Sequence, residues 1–274
     1  MAASLFRRQV ALPQDHGSWV FILSPLLVGL FAGRSFNPAS ISLIIAAMAA
    51  FLIRQPVTMA VKAYSGRRPR TDLPSARFWM VIYGAVLLVA LAGLIMRGYL
   101  YLLYLAVPGV PVFGWHLWLV SRREERRRAG VEILATGVLA LAAPAAYWVG
   151  LGRYDPYGWW LWVLAWVQSA ASIVYAYLRL EQRTWKQVPP RRERFEAGRR
   201  ALAYTSVNFL AATALGLGAG VLPRWIFVPY LFQLLETVWG IDRPAVGWKP
   251  TRIGVRQLIV STIWTVLFIL LWRP

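Results

Sequence analysis

Long apolar runs, broken by short polar and basic stretches, set the character of this chain. Runs of about 17 to 25 residues suit a helix crossing a hydrocarbon core of roughly 30 Å. Such runs fall at about residues 18–33, 39–61, 77–96, 98–120, 129–151, 157–178, 201–221, 223–240 and 256–272. The first is short, and only Leu222-Pro223-Arg224 separates the seventh from the eighth. The pattern predicts an all-α polytopic membrane protein with nine transmembrane helices (eight is the alternative) and no soluble domain of any size. Residues 1–17 are expected as a cytoplasmic N-terminal segment and 18–272 as a single transmembrane domain.

Charge sharpens that picture. Of 274 residues 58% are hydrophobic and only 15% charged, yet the net charge is +19. Most of the 30 Lys and Arg lie in the N-terminal segment and in stretches at about 62–76, 121–128, 179–200 and 241–255. These would be the cytoplasmic loops after alternate spans, with the N-terminus inside and the C-terminus outside, as basic residues are retained on the cytoplasmic side. Arg34, Arg97, Arg153, Arg224 and Arg273 fall to the other side. The basic balance is therefore a topology signal, and no nucleic-acid partner is expected. Many of the 15 Trp lie near span ends, as in an interfacial aromatic belt. The absence of cysteine excludes disulfides, thiolate metal sites and a cysteine nucleophile.

Polar side chains inside spans are costly, so their positions carry the functional signal. In the second run Arg54, Thr58 and Lys62 recur every four residues and share one helix face. The sixth run offers a similar stripe of Gln168, Ser172, Tyr175 and Arg179. His16, His116, Glu132, Tyr204, Ser206, Asn208, Gln233 and Glu236 fall towards the same side of the membrane, where a hydrophilic cavity open to the cytoplasm is expected. Arg54, Thr58, Lys62, Arg67, Tyr175, Arg179, Asn208 and Arg252 are candidates to hold an anionic head group by charge-assisted hydrogen bonds. His16, Glu132 and Glu236 are candidate proton carriers. The structural alternative is that the cations snorkel to the interface and the carboxylates pair with neighbouring arginines.

Three sets of residues carry a family likeness: PQDHGSWVFILSPLLVGL at 13–30, RQPVTMAVKAYSGRRPRT at 54–71, and YAYLRLE (175–181) with KPTRIGVRQ (249–257). Their type and order resemble the YwiC-like family of bacterial integral membrane proteins. The resemblance implies the bacterial cytoplasmic (inner) membrane and brings no established activity or catalytic residue. A weaker, architectural similarity is to the UbiA-type intramembrane prenyltransferases, whose Asp-rich motifs hold Mg²⁺ at the inner ends of two helices. Here those positions read RQPVTMAVK and SIVYAYLRLE, and none of the four aspartates is in a paired motif.

No cofactor is expected on this reading. The missing Asp-rich motifs argue against Mg²⁺, and the placement of the two histidines near one membrane face argues against a bis-His haem. There is no HExxH, no Gly-rich phosphate loop and no readable Ser-His-Asp set. The leading functional expectation is an intramembrane cavity for an anionic lipid or isoprenoid, with UbiA-like transferase chemistry as its further form. The alternative is a non-enzymatic subunit or assembly factor of a respiratory or photosynthetic complex. A small-solute transporter is disfavoured, because a permeation route needs polar groups in both halves of the bilayer.

Overall fold

The computed structural model describes residues 6–13, 16–122 and 129–272, and the described residues contain helices and no strand. In chain order the α-helices are α1 (Arg8–Ala11), α2 (Val20–Ala32), α3 (Pro38–Tyr64), α4 (Leu73–Met96), α5 (Ala106–Ser121), α6 (Ala129–Ala140), α7 (Ala142–Leu151), α8 (Gly158–Gln182), α9 (Arg191–Thr213), α10 (Phe227–Asp242) and α11 (Pro250–Leu271). Seven helical segments are long and apolar enough to cross a membrane: Pro38–Tyr64, Arg70–Met96, Leu100–Ser121, Ala129–Leu151, Gly158–Gln182, Arg191–Gly218 and Pro250–Leu271. The apolar α2 is shorter, and each of the nine apolar runs read from the sequence contains a helix.

Local chemistry accounts for several boundaries. Asn37 caps α3 reciprocally with Ser40, and Pro38 occupies the first turn. The break between α6 and α7 follows from Pro144, which has no N–H to offer the Ala140 carbonyl one turn back. Pro250 opens α11 in the same way as Pro38 opens α3. The largest departure from the expected boundaries is α9. The segment 182–200 is expected as a loop that includes a short interfacial helix; instead α9 begins at Arg191, ten residues before its apolar run, and RRERFEAGRR is continuous with it. Tertiary contact supplies what propensity alone left open, because Gly198 lets this turn close onto Ile241 of α10.

The chain forms two compact units, residues 1–162 and 163–274, with the boundary inside α8. In the first unit α3 and α4 form a long hairpin, and α1 lies against both with Val10 buried among Met59, Ala60 and Ala76. Helix α2 meets α7 backbone to backbone. A Cβ added at Gly29 would stand 2.1 Å from the Ala143 carbonyl oxygen, and one at Gly33 would stand 2.9 Å from the Gly150 Cα. Asn37 Nδ2 adds a hydrogen bond to Val149 O at 3.2 Å. This is the small-residue helix packing used where lipid tails remove most of the hydrophobic drive for helix association. The second unit packs α8, α9, α10 and α11, with Trp264 of α11 buried against Tyr230 of α10.

Candidate functional site

The predicted stripe on α8 is a single buried face, and α10 covers it. Gln168 donates to Ser172 Oγ at 3.0 Å, while Gln233 of α10 donates to Gln168 O and Ser172 Oγ, both at 3.1 Å. One turn on, the Tyr175 hydroxyl donates to Glu236 Oε1 at 3.0 Å. Asn208 of α9 donates to Val167 O at 2.8 Å. In this unit the polar stripe is a helix–helix seam, most of its groups satisfied by one another as an apolar surrounding demands, while Gln233 Oε1 is buried with no hydrogen-bond partner among the described residues.

At the end of the seam Arg179 is 1% exposed. Its Nη1 donates to Gly240 O at 2.5 Å, Arg243 O at 2.8 Å and Gln182 Oε1 at 2.9 Å. Gln182 completes the arrangement, donating to Gly240 O and accepting from Ala245 N, both at 3.2 Å. The last turn of an α-helix leaves carbonyls without intrahelical donors. Arg179 and Gln182 supply the donors here, and a cation suits the negative end of the α10 dipole. Gly240 admits this approach, since a Cβ there would stand 1.9 Å from the Tyr175 hydroxyl.

Aromatic rings surround the same guanidinium. Arg179 Cζ lies 5.0 Å from the Trp248 ring centroid and 5.8 Å from that of Trp239. Arg252 is exposed and stacks on Trp248 at 4.0 Å, and Arg256 stacks on Trp239 at 3.7 Å. Arg256 also forms a bidentate ion pair with Glu236, at 2.7 and 2.8 Å. Arg183 Nε donates to Trp248 O at 3.3 Å. Nearby, Asp242 of α10 pairs with Arg191 and Arg194 of α9, each at 3.7 Å.

The first unit places its candidates differently. Arg54, Thr58 and Lys62 are half-buried along continuous α3, and Arg54 Cζ stands 5.3 Å from the Phe51 ring. Arg67, in the turn after α3, donates to the Val120 carbonyl near the end of α5. The buried carboxylate of Asp72 holds Arg7 at 2.5 Å and Arg68 at 3.2 Å, which fixes the N-terminal segment to the start of α4. Glu132 is exposed in the first turn of α6, and His116 is half-buried on α5. His16 opens a 3-10 turn, His16–Trp19; its side chain, Asp15 and Arg123 to Arg128 lie outside the described residues. Among the described residues, no group of three or more His, Asp or Glu is placed to hold a metal ion.

Sequence reasoning identified the α8 stripe and missed its tryptophans and Arg256. Part of the signal was present: Arg252 and Arg256 lie four residues apart on α11 and share one helix face, whereas Trp248 precedes the helix and its approach could not be read from spacing.

These long apolar helices define the class: a polytopic, all-helical membrane protein. Within that class the chain is similar to the YwiC-like family, whose model matches residues 12–147. It is also 24% identical, over 260 residues, to a Bacillus subtilis (strain 168) protein described as "Uncharacterized protein YwiC", covering 90% of this chain and 92% of that one. No solved structure matches.

Proposed function

We propose that this protein binds an anionic amphiphile in the bacterial inner membrane, with the charged head at the basic ends of α8 to α11 and the apolar tail along exposed helix faces. The observation that carries this reading is a charge imbalance with geometry. The stretches 179–200 and 236–256 hold twelve Lys and Arg against five carboxylates. Glu236 and Asp242 are already taken up by ion pairs. Such an excess at one membrane face attracts anionic head groups, each nearby cation contributing about 1 kcal/mol.

Native mass spectrometry of the full chain, reconstituted with phosphatidylcholine and an anionic phospholipid, tests this. Wild type is expected to retain the anionic species preferentially, and Arg54→Ala to keep that preference. Equal retention of both lipids by wild type would overturn the reading. The seam offers no compact catalytic constellation, so the reading stops at binding and leaves out transferase chemistry.

The same reading takes nine spans, N-terminus inside, with α2 and α10 crossing as short helices. At 1.5 Å per residue their 13 and 16 residues reach about 20 and 24 Å, which requires local thinning of the bilayer or flanking turns. With no native cysteine to react, single cysteines report cleanly. In sealed vesicles an impermeant maleimide should label Arg8→Cys and Lys249→Cys from the cytoplasmic side, and Ser35→Cys and Arg224→Cys from the other. Same-side labelling of either pair flanking a short helix, Arg8 with Ser35 or Arg224 with Lys249, removes that helix from the count.

A further inference from the structure

We infer that Arg179, Arg252 and Arg256, set on Trp239 and Trp248, form a phosphate-binding cup with Arg183 beside them. This deepens the proposed binding of an anionic amphiphile and rests on it. Three guanidinium groups gather around two indoles, Arg183 holds the Trp248 backbone carbonyl, and the adjoining carboxylate, Glu236, is occupied by Arg256. The deepest, Arg179, has no carboxylate within ion-pairing distance among the described residues. Its Nη2 is buried and has no hydrogen-bond partner among them. A buried cation is ordinarily paired, and an unpaired buried donor is costly. An anion held at the rim would balance that charge.

The rim is suited to the task. Arg252 is exposed and lies flat on Trp248, and Arg256 lies on Trp239, its side chain 32% exposed. Stacking fixes both guanidinium planes, so less side-chain freedom is lost when an anion binds; Arg256 spends its Nε and Nη2 on Glu236, and exposed Arg252 offers the N–H edge. Arginine forks match phosphate oxygens bidentately. A surplus of about three positive charges also favours a phosphate, which can carry two negative charges, over a single carboxylate. Lysine-rich surface would attract either without such geometry. The same chemistry could come from a lipid phosphate or from phosphate free in the cytoplasm.

Two probes separate these sources, both with the full chain. Inorganic phosphate is titrated calorimetrically into protein in phosphatidylcholine nanodiscs. Phosphatidic acid retained from mixed phosphatidylcholine–phosphatidic acid vesicles is measured by native mass spectrometry. Binding of either supports the cup when Arg252→Gln weakens it about tenfold to a hundredfold, the loss of one charged hydrogen bond. Arg252→Lys should recover part of it, and Arg199→Gln, elsewhere on the basic end, should weaken it by about fivefold or less, the share of one cation near the membrane surface. Among the described residues the Arg252 side chain makes only the stacking contact given above, so its variants test binding in folded protein. Binding of phosphate without phosphatidic acid supports the cup and argues against the amphiphile reading. Phosphatidic acid retention weakened equally by Arg199→Gln and Arg252→Gln overturns the cup and leaves the broader reading standing. Wild type that takes up neither probe overturns both.

Discussion

Gly29→Leu is expected to destabilise the first unit by about 3 kcal/mol or more, the upper end of what overpacking costs in a close-packed interior. The reason is that the obstacle is backbone. The Ala143 carbonyl and the Ala146 Cβ already occupy the space a side chain at this position would take. Neither can swing aside as a long side chain would, so α2 and α7 must separate. Separation also withdraws the Asn37 bond to Val149 O and opens the Gly33–Gly150 contact. Dispersion falls off within an ångström, so a small displacement costs the whole interface. Gly114→Ala is the control, since nothing lies within 4 Å of its added Cβ. Fluorescence-detected size-exclusion after a heating series would show the Gly29 variant lost at lower temperature. Coincident curves for Gly29→Leu, Gly114→Ala and wild type would refute the backbone-contact argument.

Arg179→Leu should be nearly as damaging, by about 2–4 kcal/mol, and in the second unit. Removing a buried charge by itself relieves a desolvation penalty, and buried ionic groups replaced by apolar ones are sometimes neutral. Here the remaining groups decide the sign. The Arg243 carbonyl loses its donor, Gln182 Oε1 keeps only the Ala245 N–H and the Gly240 carbonyl only the Gln182 bond, both at 3.2 Å. Each buried acceptor left without a donor costs about 1–3 kcal/mol. All three acceptors meet one nitrogen, Nη1, and a lysine ammonium also carries three N–H donors on a shorter stem, so Arg179→Lys should recover part of the loss. Hydrogen exchange should show the segment from Gly240 to Trp248 opening first. Protection lost evenly across the unit would argue against a capping role.

How far the sequence could be read depended on whether a feature needed one helix or two. The apolar runs and the α8 stripe of Gln168, Ser172, Tyr175 and Arg179 follow from periodicity within a single helix, and the structure keeps them on one buried face. Their partners could not be read this way. That Gln233, Glu236 and Gly240 cover the stripe depends on how α10 docks, and the expectation of open polar space was natural without that knowledge. Arg179, read as a head-group ligand, turns out also to hold the end of a neighbouring helix. The Gly29–Gly33 spacing was visible in the sequence, and only the partner surface of Ala143, Ala146 and Gly150 gives it meaning. The early start of α9 was hidden because an arginine-rich segment looks like loop until Gly198 meets Ile241.

The scarce carboxylates have a consequence for how the protein is made. Asp72 holds an arginine 65 positions earlier, Asp242 one 48 positions earlier, and Glu236 one 20 positions later. Each of these pairs must wait until its later partner has emerged, whereas Arg68, four positions from Asp72, can pair at once. Until then the nascent chain shows the insertion machinery more of its basic charge than the folded protein does, and that charge is the quantity that orients helices. Neutralisation across the longer separations comes later. Biogenesis and the finished protein thus experience two different electrostatic surfaces from one set of residues.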